Sequence, residues 1–171
     1  MDKSKGFRCD ESTKAEFSSF IKAVFSACTC LVIDTPMDEQ SPMDLYLTAK
    51  TDYSAYTYAF ELKERDGRYP SDRYGIAGKG GWIVEDHKIQ NFKEAEAQGY
   101  NACYVNFYPD NVIRIWNISK APEGVMEHRG EVRKYNAHTV DDEGGTYRKA
   151  KVEIFNYWAK DYRRDTYEPL D

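Results

Sequence analysis

Apolar and polar positions alternate with a period of two through Tyr56-Thr57-Tyr58-Ala59-Phe60-Glu61-Leu62-Lys63, the pattern of a strand with one face turned to a core. Tyr56, Tyr58, Phe60 and Leu62 fall on one side, and Thr57, Ala59, Glu61 and Lys63 on the other. The period lengthens to that of a helix at Phe17, Phe20, Ile21, Val24 and Phe25. This predicts an amphipathic helix over 12–27, capped by Ser12, with Glu16 in the early turns where the helix dipole favours acid. Residues 28–33 are a short apolar run, either a strand or the tail of that helix. A loop carrying Pro36, Pro42 and several acids covers 34–43. A second strand at 44–49 follows and turns through 51–54 into the strand described first. The segment 66–81 is broken by Gly67, Pro70 and four further glycines. Glu85-Asp86-His87 then introduces a helix over 88–98, for which Gly99 is a natural stop. Strands at 102–108 and 112–118 are joined by the turn Pro109-Asp110-Asn111.

The order helix, strand, strand, strand, helix, strand, strand is an α/β pattern around a mixed sheet. The 171 residues suit one domain, with a core over about 12–118 and a C-terminal elaboration over about 119–171. That elaboration spreads basic residues among aromatics such as Tyr135, Tyr147, Phe155 and Trp158. Asp141-Asp142-Glu143-Gly144-Gly145 reads as the tip of a hairpin between 135–140 and 146–155. The net charge of -5 argues against a protein that coats nucleic acid nonspecifically, yet is compatible with a local cluster of metal-binding carboxylates. No stretch approaches the roughly 20 apolar residues of a membrane span. Cys28, Cys30 and Cys103 read as buried, reduced thiols of a cytoplasmic protein, and the cysteines lack zinc-site spacing.

Glu61 and Lys63 sit side by side at the polar end of their strand. For an arbitrary Glu-x-Lys the ordinary outcome is a surface ion pair worth little. The neighbours change that reading. Asp44 opens the preceding strand, so two acids lie on consecutive antiparallel strands. Counting back from a turn near Asp52 and Tyr53 sets Asp44 some residues further out than Glu61; a different turn brings them level, and the sequence does not fix the register. Asp34 also follows an apolar run but ranks below Asp44, from which Leu45-Tyr46-Leu47 continues a strand. The glycine-rich segment 66–81, with Arg68, Arg73 and Lys79, is either a mobile loop or a basic lid whose amides and cations approach phosphates. His87, His128 and His138 show no metal-ligand spacing.

Pro42-Met43-Asp44, then Glu61-Leu62-Lys63, then a helix and two strands, resembles the PD-(D/E)XK nuclease superfamily. Met43 interrupts the leading Pro-Asp pair, at a position where the family varies. The likeness spans 16–118, mostly as element order, and is nearest to Holliday-junction-resolvase-like and phage or mobile-element nucleases. It implies a restriction-endonuclease-like fold, a mixed central sheet flanked by helices, here with a C-terminal β and aromatic elaboration. It further implies a Mg²⁺-dependent endonuclease that hydrolyses DNA phosphodiester bonds with a metal-activated water, Mn²⁺ substituting. Under the resemblance Asp44, Glu61 and the Leu62 carbonyl hold the ion, and Glu16 adds an acid from the first helix. Lys63 orients the water and stabilises phosphoryl charge. Lys88 touches phosphate, with Gln90 as the fallback. Two other readings compete: the same fold without catalysis, as a nucleic-acid-binding or protein-interaction module, and a small-ligand enzyme or phage structural accessory with a chance Glu-x-Lys. One site per chain would need a homodimer to cut both strands.

Overall fold

The computed structural model describes residues 11–37, 41–65, 81–121, 126–128, 133–134, 148–149, 151–155 and 159–170. Helix α1 (Glu11–Val24) is followed by strands β1 (Cys30–Asp34), β2 (Leu45–Lys50), β3 (Ala55–Glu64) and β4 (Gly81–Glu85), helix α2 (Asp86–Ala97), and strands β5 (Asn101–Tyr108) and β6 (Val112–Asn117). A 3-10 turn (Ile118–Lys120) and strands β7 (Met126–His128), β8 (Arg133–Lys134), β9 (Arg148–Lys149), β10 (Lys151–Phe155), β11 (Lys160–Arg163) and β12 (Pro169–Leu170) complete the chain. The main sheet has seven strands in the order β1-β2-β3-β5-β6-β11-β12. Only β3 and β5 run parallel in it, joined by a connection through α2 long enough for the crossover that parallel strands need, while every other neighbour is antiparallel. The fold is therefore the α/β arrangement around a mixed sheet that the element order predicts.

The period of two sorts the sheet into two faces. Phe60 and Leu62 of β3 join Leu45, Leu47, Cys103, Val105, Phe107 and Ile113 in a core closed by Phe17, Phe20 and Ile21 of α1. Phe17 meets Phe60 and Phe107 edge-on at ring centroid distances of 4.8 and 5.8 Å, geometries favoured by the ring quadrupole. On the opposite face Ala59, Ala102, Tyr104 and Trp116 pack with Phe92 and Ala95 of α2. Helix α2 ends as its sequence requires: Gly99 takes a φ of 91°, and the Tyr100 amide returns to the Ala95 carbonyl at 3.1 Å. Asn111, at φ 69°, closes the short β5–β6 turn in the left-handed conformation that Asn tolerates.

Two expectations change and one open reading is settled. Helix α1 begins at Glu11, so Ser12 is inside it rather than its cap. Residues 30–34 form a strand of their own, because pairing with β2 through Cys30↔Lys50 to Asp34↔Tyr46 satisfies their backbone. Cys28 is half-buried and Cys30 exposed on that edge strand, so of the three thiols read as buried only Cys103 is. Burial raises the Cys103 thiol far above its ordinary range, which keeps it protonated and inert.

The C-terminal region divides. Strand β10 pairs with β4 and β7 in a second sheet, and β8 pairs with β9. The remainder of the hairpin read over 135–155 lies outside the described residues. Strands β11 and β12 instead extend the main sheet beyond β6. Register places Asp161 opposite Arg114, and the guanidinium grips the carboxylate through Nε–Oδ1 at 2.8 Å and Nη2–Oδ2 at 3.1 Å. Both residues are buried.

Candidate active site

The pairing of β2 with β3 brings the acids together. Leu45 lies opposite Phe60, and the Asp44 amide donates to the Phe60 carbonyl at 3.0 Å. Asp44 therefore stands level with the Phe60–Glu61 step, not residues further out as counting from the turn suggests. The short Thr51–Ser54 turn, where the Thr51 amide donates to Ser54 O at 2.8 Å, sets this register. Beyond the start of β2, the Leu62 amide has no strand to pair with on that side. The Asp44 carboxylate replaces it, accepting from Leu62 N at 2.8 Å through Oδ2. In an extended strand the N–H and C=O of one residue project to the same edge, so the Leu62 carbonyl is directed to the Asp44 side as well.

Glu61 is 1 % exposed at the centre of the constellation. Its Oε1 receives the Lys63 ammonium at 2.8 Å and the Lys88 ammonium at 2.6 Å. Lys63 arrives by the alternation of β3, and Lys88 from the first turn of α2. One helical turn on, Asn91 Nδ2 donates to the Pro42 carbonyl at 3.1 Å and pins the chain just before Asp44 to the same helix. The site thus contains two carboxylates and two ammoniums.

These charges act on each other. Burial first, and then the negative charge of Glu61, raise the Asp44 carboxyl to about 6, against the Leu62 amide and the two lysines. Burial also works to raise Glu61, but Lys63 and Lys88 outweigh it and hold Glu61 below the ordinary carboxylate range. Burial works to lower Lys63, yet Glu61 and then Asp44 move it above the ordinary lysine range, so it remains a cation.

A measurable consequence concerns Asp44. Its folded value of about 6 exceeds the reference 3.8, so between these values the folded chain binds more protons than the unfolded one. Stability without metal therefore falls as pH rises from about 4 to about 6, by on the order of 2 kcal/mol from this group. Asp44→Asn should flatten that part of a denaturation-against-pH profile and raise the melting temperature at pH 7. An unchanged profile would mean that Asp44 does not feel the burial and the charge of Glu61.

Of the residues the sequence singles out, Asp44, Glu61, Lys63 and Lys88 converge. Glu16 does not join them. Among the described residues no three or more His, Cys, Asp or Glu side chains cluster as a metal site. Glu16 instead accepts from Arg164 Nε at 2.9 and 3.0 Å, and Arg164 also reaches Glu64 at 2.8 Å. An arginine far along the chain outcompetes the site for this acid, because α1 packs on the opposite face of the sheet. Gln90 is exposed and lies more than half a turn round α2 from Lys88. Arg68, Arg73 and Lys79 lie outside the described residues. Sequence reading missed Asn91, although its i+3 spacing from Lys88 marks it as a neighbour on one helix face. It also missed Arg65, the next residue on the Glu61–Lys63 face, which donates to Asn106 Oδ1 at 3.0 Å and to the Tyr104 hydroxyl.

The donors suit a hard divalent cation. Mg²⁺ takes one or two carboxylates and a carbonyl while keeping waters, and Asp44, Glu61 and the Leu62 carbonyl supply that set. The raised Asp44 value marks a carboxylate that a further cation would favour in its charged form.

No family model matches the chain and no curated protein does. Among solved structures it is similar to the 1.6 Å structure of Hjc, a Holliday junction resolvase of the archaeon Archaeoglobus fulgidus, at a TM-score of 0.42 and 11 % identity over 82 % of this chain and 89 % of that one. A likeness of this size carries no functional argument, and the chemistry rests on the residues themselves.

Proposed function

We propose that the protein is a metal-dependent endonuclease that hydrolyses DNA phosphodiester bonds. The observation that carries this reading is the meeting of Asp44 and Glu61, from neighbouring strands, with Lys63 and Lys88 in one half-buried cluster. When bound, Mg²⁺ or Mn²⁺ would supply positive charge for activating a water and for stabilising the leaving oxygen. Asp44, Glu61 and the Leu62 carbonyl would hold it. Because Lys63 stays cationic, its part is to attract the phosphoryl oxygens and orient water rather than to accept a proton. Lys88, beside Glu61 at the start of α2, would provide a second cation for phosphate. The same balance of two against two supports one other reading, a nuclease-like fold that binds nucleic acid or protein without catalysis, since the lysines already neutralise the carboxylates.

Metal separates the two. Calorimetric titration with Mg²⁺ should show saturable binding, with stabilisation of about 2.7 kcal/mol at a hundredfold excess over Kd. Asp44→Asn should weaken it at least tenfold, and cleavage of linear and branched DNA should track site occupancy. Binding indifferent to Asp44, together with no cleavage, would leave the non-catalytic module as the reading.

A further inference from the structure

Among the described residues, one 14-residue helix covers the face of the main sheet opposite the Asp44–Glu61 cluster, too short for seven strands. Along the C-terminal half of α1 this leaves an open cavity of about 420 Å³. Phe17, Phe60 and Cys103, at most 4 % exposed, form its floor, and the half-buried Phe25 lines it from the chain just after the helix. Two exposed cations, Lys120 after β6 and Lys160 at the start of β11, line the same cavity. Among the described residues neither is engaged in an ion pair, although the chain as a whole carries a net charge of -5. An apolar volume in the size range of small-molecule sites, with a few polar groups at its edge, selects a ligand by matching both.

We propose that this cavity binds a single-chain apolar carboxylate of the medium-chain fatty-acid class, its tail on the aromatic floor and its carboxylate at Lys120 and Lys160. The volume lies near the small end of ligand pockets, which favours one chain over a two-chain lipid. Burial of the chain would supply the affinity, and the two ammoniums the preference for an anion.

Titration with dodecanoate below its micellar concentration tests this. Saturable one-to-one binding is expected, at least tenfold weaker in the double variant Lys120→Glu, Lys160→Glu, whose exposed positions leave the fold unaffected. Dodecanol should bind the wild type and the variant alike, and dodecyltrimethylammonium should bind the wild type more weakly than dodecanoate does. No saturable binding, equal affinity for the cationic amphiphile, or an unchanged dodecanoate affinity in the variant would each overturn the proposal. Binding to phosphatidylglycerol vesicles without binding of monomeric dodecanoate would overturn it too, in favour of a lipid surface. None of these outcomes depends on cleavage or on Mg²⁺.

Discussion

If the proposed nuclease reading holds, Lys63→Ala is expected to lower metal-dependent DNA cleavage by about 10²–10³-fold, the cost of removing one well-placed electrostatic stabiliser, while the protein stays folded and its metal affinity is retained. The geometry makes this the cleaner of the two obvious substitutions. Lys63 and Lys88 share one oxygen of Glu61. Losing Lys63 still leaves Lys88 beside the buried Glu61 carboxylate, so Glu61 keeps a counter-charge. Losing the carboxylate, by Glu61→Ala, instead leaves two half-buried ammoniums facing each other without their partner. That change should abolish cleavage and also lower stability, so it confounds chemistry with folding. The informative measurement is therefore single-turnover cleavage by Lys63→Ala beside its Mg²⁺ affinity and melting curve. Cleavage at the wild-type rate, with metal bound, would remove Lys63 from the reaction. Retained metal affinity with lost cleavage would separate binding the ion from using it.

Asp161→Ala should destabilise the fold by about 3–5 kcal/mol, because it removes the carboxylate that grips a buried guanidinium through two contacts. Arg114 is fully buried and Asp161 is 4 % exposed, and the two are joined by two parallel contacts across β6 and β11. A loss of this size is a large fraction of the 5–15 kcal/mol that holds a typical domain together. Replacing both partners with apolar residues of similar volume should cost much less, since nothing charged is then left behind. Urea denaturation of the single and double variants gives the comparison. A single variant within about 0.5 kcal/mol of wild type, the range of ordinary surface changes, would show that water reaches the pair and that it behaves as an exposed one.

Between these two pairs lies the difference between what can and cannot be read from a linear chain. Glu61 and Lys63 are two residues apart on a strand, so the pleat alone places them on one face. The face of α1 that packs on the sheet follows in the same way from Phe17, Phe20 and Ile21. The stop at Gly99 follows from its freedom to adopt positive φ. Glu16 shows the limit: its place in an early helical turn was legible, but its partner, Arg164, comes from the other end of the chain.

What the sequence by itself determined, then, is local: which residues share a face, where the helices and the central strands run, and that a Glu and a Lys would stand together at a strand end. Backbone geometry decides these within a few residues. Only the tertiary structure decided that the Asp44 carboxylate takes the unpaired Leu62 amide, that Lys88 swings from α2 onto Glu61, and that β11 slots beside β6 to give Arg114 its partner. Strand register and crossover packing are settled by burial and by the pairing of backbone groups from distant segments, and no short stretch of residues carries that information.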